Sequence, residues 1–209
     1  MFWRNKSARN KISNQYFSEE ILNVVTHLTT LLIFTFLSGI MLSHTRHFWT
    51  DFIYCFFTVN LYASSMMYHY FEKIKLKKIL RILDHSSINF LIAATYTPFM
   101  IHLKEYSVLC IIWTLAMVNV FEMIYSKSVQ SSFLIKYVIL GWMIIVVAGK
   151  LFTQLNETSL YFLFGGGLAY MIGVYFFLKD HTHKYYHTIW HVFTSIGTIL
   201  HFFSVYNIP

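Results

Sequence analysis

Apolar runs of about 20 residues, nearly free of charge, recur along this chain, each long enough to cross a bilayer as a helix. The clearest, "TSLYFLFGGGLAYMIGVYFFL", holds no charged residue at all. In hydrocarbon every backbone amide must find its partner within the protein, which leaves helices or closed barrels. Barrel strands are short and alternate in polarity, whereas these runs are continuous. The predicted fold is therefore an all-α membrane protein, a seven-transmembrane helix bundle. Its spans fall at about 21–43, 49–71, 82–102, 107–125, 132–152, 158–178 and 187–206. Residues 1–19 read as a basic N-terminal segment, and residues 20–209 as the transmembrane domain. Short connections leave no room for a soluble catalytic domain, so chemistry falls to the helices. Only 12% of residues are charged, about half the share of a soluble domain.

Lysine and arginine predict the orientation. Arg4, Lys6, Arg9, Lys11, Lys73, Lys75, Lys77, Lys78, Arg81, Lys127, Lys179 and Lys184 lie on one side of this arrangement, against Arg46 and Lys104 on the other. The N-terminus is expected in the cytoplasm and the C-terminus outside, with the plasma (inner) membrane as location. The +7 net charge then reads as an orientation signal, and no nucleic-acid partner is needed to explain it. Lys136 and Lys150 sit near span ends, where long side chains reach the interface. Glycines 165–167 and Gly141 are expected to let helices approach closely, and Pro98 to kink the third span. Cys55 and Cys110 are too isolated for a disulfide framework.

Polar residues inside spans are costly, so their placement carries information. "EEILNVVTH" sets Glu20, Asn23 and His27 at the inner end of span one, on one helical face. "SSMMYH" sets Ser65 and His69 at the inner end of span two. "LDHSS" opens span three with Asp84, and span seven opens with His187 and His191. All four clusters reach the same membrane face. Histidines four apart present adjacent rings, a spacing that zinc proteases use on a helix. One further imidazole at matching depth, best supplied by His69, would complete a three-histidine site with a fourth position for water. Asp84 would hold or deprotonate that water. The plainer reading of a lone span histidine is hydrogen-bonded packing; three at one depth beside a carboxylate outweigh it. His44, His47 and His102 read as interfacial, His181 and His183 as solvated, and His201 as too far outward. Glu122 has Lys127 or Lys136 as candidate partner. No span shows a polar stripe along its full length, which speaks against a pore.

These motifs resemble those of the hemolysin III proteins and the related progestin and adipoQ receptors. "EEILNVVTH" is similar to E-x-x-N-x-x-[ST]-H, "SSMMYHYF" to S-x-x-x-H, "RILDHSSINFLIAATYTPF" to the third-helix signature, and "HTIWHVFTSIGTILHF" to H-x-x-x-H. The resemblance covers nearly the whole chain and is closer to the bacterial branch. It implies seven helices, an inward N-terminus, and zinc held by His69, His187 and His191. Asp84 and Ser65 would stand beside the metal, with Glu20, Asn23 and His27 behind the ligands. It also implies kinship with CREST-type metal-dependent membrane hydrolases, among them ceramide hydrolases. The expected function is thus zinc-dependent cleavage of a lipid amide or ester at the cytoplasmic leaflet, with membrane lipid as both solvent and substrate. Asp84 would be the general base, and Ser65 would either bond the oxyanion or orient Asp84 or His69. The alternative is a receptor, membrane-stress sensor or pore-forming cytolysin whose metal is structural.

Overall fold

The structure, a computed structural model, describes residues 9–45, 47–127 and 132–209; the basic residues Arg4, Lys6 and Arg46 lie outside them. The described residues are helical and contain no strand. The helices are α1 (Phe17–His44), α2 (Phe48–Tyr70), α3 (Ile74–His102), α4 (Tyr106–Ser126), α5 (Ser132–Trp142), α6 (Ala148–Gln154), α7 (Glu157–Leu178) and α8 (Tyr186–Tyr206). A 3-10 segment, Met143–Val147, joins α5 to α6, so the eight helices make seven rods. Five rods are long and apolar enough to cross a membrane: α1, α4, α5 with α6, α7 and α8.

Packing follows the buried stripes. On α1, Glu20, Asn23, His27, Thr30, Phe34, Ser38 and Met41 are buried at helical spacing, and this stripe meets α2 and α8. The rod α3 is the hub, packed against α2, α4, α5 and α8, while α7 lies along α8. Close approach of α7 and α8 depends on Gly166. A Cβ there would stand 2.9 Å from the Gly197 carbonyl oxygen and 2.6 Å from His201 Nε2. Gly173 and Gly197 are similarly crowded, by Trp190 and Tyr170. Of the glycines expected to serve this purpose, Gly141 and Gly167 face open space, and Gly165 makes only ordinary contact.

Two elements differ from their sequence reading. The third helix starts at Ile74, eight residues before the apolar run, so "IKLKKILR" is its first two turns and not a loop. The fifth span is broken. The Tyr96 hydroxyl donates to the Gly141 carbonyl at 2.6 Å and accepts the Ile144 amide at 2.8 Å. A side chain inserted into the amide ladder interrupts α-helical bonding, and the chain passes through the 3-10 segment there. Pro98 is accommodated inside α3, which runs on to His102.

A candidate metal centre

The end of the bundle where α1, α3 and α8 begin and α2 ends holds a three-imidazole cluster. His69 of α2 and His187 and His191 of α8 offer nitrogen atoms that all lie within 4.8 Å of one another. Their ring centroids stand 4.7–5.2 Å apart. Such a group can hold a metal ion.

Each ring is oriented from behind. His69 Nδ1 lies 2.7 Å from Glu20 Oε2, so the ring donates to this carboxylate and turns Nε2 away from it. That Nε2 is buried and has no partner among the described residues. A buried nitrogen left unpaired costs about 1–3 kcal/mol, and a cation between the rings would satisfy it. His187 Nδ1 lies 2.7 Å from Asp180 Oδ2, which leaves its Nε2 lone pair free to ligate. His191 has Thr26 Oγ1 at 3.4 Å from Nδ1. Carboxylates behind ligating histidines are the usual support of a metal site, and the donor set fits a transition-metal ion.

Glu20 is itself the centre of a buried network. Its Oε1 receives Lys77 Nζ at 2.9 Å and the Ser13 hydroxyl. Lys77, fully buried, also donates to the Tyr68 carbonyl at 2.9 Å. By sequence Lys77 reads as a charge between two spans; in the structure it neutralises Glu20 inside the bundle. Asn23 Oδ1 accepts from the Thr188 hydroxyl at 2.6 Å, tying α1 to α8. His27 stacks on His191, with centroids 3.6 Å apart and planes at 12°. Glu19 bridges the two helix starts, accepting from the Tyr16 amide at 2.8 Å and the Tyr185 amide at 2.6 Å.

The cluster opens onto a cavity of about 410 Å³. His187, His191, His27, Asp84 and Ser65 line its polar end. Apolar residues such as Leu91, Ile145 and Leu168 line the remainder, between α3, α5, α7 and α8. Ile145 and Leu168 are also on the outer surface, so the cavity reaches the side of the bundle.

His181 and His183 are exposed, and His44, His47 and His102 stand at the opposite end of their rods. His201 lies outward on α8, bonded to the Leu163 carbonyl at 3.2 Å. Glu122 pairs with Lys136, and Lys150 with Glu105 at 2.5 Å. Asp180 went unnoticed in the sequence. It was detectable as the only carboxylate after residue 157, just ahead of the histidine pair. The buried residues of α8 are polar toward its start and mixed toward its end: His191, Thr194, Gly197, Thr198, Phe202, Ser204 and Val205. Tyr62 and Tyr170 bond Thr198 at 2.7 and 2.6 Å, and the Ser159 carbonyl accepts from the Ser204 hydroxyl at 2.7 Å.

A family sequence model described as "Haemolysin-III related" matches residues 15–202, a range that includes every residue of the cluster and its supports. The chain belongs to the haemolysin III family. "Hemolysin-3" of Bacillus cereus is 33% identical over 202 residues, covering 91% of this chain and 92% of that protein. "Hemolysin-3 homolog" of Bacillus subtilis (strain 168) is 34% identical over 199 residues, covering 90% and 92%. The human "Monocyte to macrophage differentiation factor" is 28% identical over 170 residues, covering 76% of this chain and 69% of that protein. The haemolysin III match ends beyond His191 and His201, so it spans the cavity as well as the cluster.

Proposed function

We propose that this haemolysin III protein is a zinc-dependent membrane hydrolase that cleaves a lipid amide or ester, with all seven rods spanning the membrane and the site at the cytoplasmic leaflet. The observation that carries the reading is the three-imidazole cluster opening on a largely apolar cavity that also presents Asp84. Zinc held by His69, His187 and His191 would supply Lewis acidity and an activated water at neutral pH. Asp84 would take a proton from the attacking water and return it to the leaving nitrogen or oxygen as the amide or ester bond breaks. Ser65, which lines the cavity with Asp84, would orient the carboxylate for both transfers. Glu20 and Asp180 accept from Nδ1 of two rings and so leave their Nε2 atoms free to hold the metal. The cavity wall excludes bulk water and takes the acyl chain.

The test combines elemental analysis of purified protein with cleavage of a panel of ceramides, acyl amides and phospholipids. Stoichiometric zinc is expected, with cleavage lost in His187→Ala and reduced at least a hundredfold in Asp84→Asn. Metal-replete protein that leaves the whole panel intact overturns the reading. The name of the Bacillus cereus relative, "Hemolysin-3", favours a second reading, a cytolysin with a structural metal. Erythrocyte leakage that persists in Asp84→Ala, with folding and metal lost together in His69→Ala, would support it.

A further inference from the structure

Among the described residues with buried, unpartnered polar atoms, two line this cavity: His27, through both ring nitrogens, and His85, through Nδ1. Nε2 of His69 lies in the adjoining cluster. An ion held by the cluster would satisfy His69, and His27 is held by its stack on His191, which gives neither of its nitrogens a partner. At His85 only Nδ1 is sealed and unpartnered. This residue follows Asp84 on α3 and lines the cavity. Its own carbonyl accepts from the Tyr137 hydroxyl at 3.0 Å, which fixes this turn of α3 against α5. With Nδ1 sealed in the wall, the Nε2 edge is the part of the ring left to meet a ligand. No partner at Nδ1 selects the tautomer, so Nε2 can present either an N–H or a lone pair. A hydroxyl, which both donates and accepts, suits either state; an alkyl group suits neither.

We propose that His85 is the specificity-determining contact of the cavity: its Nε2 hydrogen-bonds a hydroxyl near the polar end of the lipid, so hydroxylated acyl amides are preferred over their deoxy counterparts. The inference rests on the lipid-cavity part of the reading above, but not on cleavage. A polar group built to meet a ligand hydroxyl discriminates against its absence because the protein atom is then left unpaired. Asp84, Ser65 and the three ligand histidines need not change for this preference to appear or vanish.

Trp142 and Trp190 line the cavity and report occupancy through their fluorescence. Binding of an N-acyl ethanolamide and of the N-ethyl amide with the same acyl chain is titrated into metal-loaded full-length protein in detergent. Wild type is expected to bind the ethanolamide about tenfold more tightly. His85→Phe, with unchanged metal content, is expected to bind both alike, and His85→Gln to keep a preference of about threefold. Equal binding by wild type, or an undiminished preference in His85→Phe, overturns the proposal. If the Phe variant does not fold, the wild-type pair and the Gln variant decide: a preference that is absent in wild type, or not smaller in Gln, overturns it. A preference in binding with neither amide cleaved leaves this inference standing and removes the hydrolase. Cleavage of both amides with equal binding does the reverse.

Discussion

A neutral imidazole offers one lone pair, and the partner of the protonated nitrogen decides which atom carries it. At His187 that partner is Asp180, and at His69 it is Glu20. The two supports differ in what else they hold. Asp180 is a loop residue whose side chain keeps 19% of its exposure, so Asp180→Asn should leave the fold intact. Its metal affinity is expected to fall about 10–100-fold, as read by competition with a chelator. Glu20 is buried against Lys77, and removing one member of a buried pair strands the other. Glu20→Gln is therefore expected to lose about 3–5 kcal/mol of stability, seen as a lowered thermal midpoint in detergent. Glu20→Gln with Lys77→Met should recover most of that loss while the metal affinity stays weak. Midpoints that are equal for the single and double variants would contradict the pairing. Depth in a span revealed Glu20 in the sequence, because a carboxylate there demands a reason. Asp180 lacked that signal, since a charge in a loop needs none.

Among the elements, α7 and α8 lie close because a hydrogen replaces a side chain at one position. At Gly166 a Cβ would meet the Gly197 carbonyl at 2.9 Å, and a backbone atom cannot rotate away. Gly166→Ala is expected to cost about 1–3 kcal/mol through overpacking. Gly165→Ala and Gly167→Ala, with ordinary contact and open space respectively, serve as near-neutral controls in the same thermal scans. The run of three glycines was visible as a packing signal, yet which one carries the approach depends on the rotation of α7 against its neighbour. The break after α5 has the same character. The apolar run 132–152 reads as one helix, and only the arrival of the Tyr96 hydroxyl from α3 makes the local bonding change. The early start of α3 escaped a hydropathy reading because its first two turns are basic.

For the whole molecule, the polar clusters of α1, α2, α3 and α8 share one end of the bundle, and the described basic residues Arg9, Lys11, Lys73, Lys75, Lys78, Arg81, Lys179 and Lys184 flank that same end in the chain. Basic flanks mark the cytoplasmic side. A reporter that folds only outside the cytoplasm should be active when fused after Pro209 and inactive when fused to the N-terminus. Activity at the N-terminus would turn the bundle over and move the site to the outer leaflet. By itself the sequence determined the all-helical class, the family, and the four polar clusters at one depth, because hydrophobic length and three- to four-residue spacing are local properties that survive any packing. Tertiary structure decided which carboxylates stand behind His69 and His187, that Lys77 turns inward to meet Glu20, that Nδ1 of His85 has no partner among the described residues, and that the cavity runs between α5 and α7. These depend on how rods from distant parts of the chain rotate and approach, and a one-dimensional pattern holds no record of that.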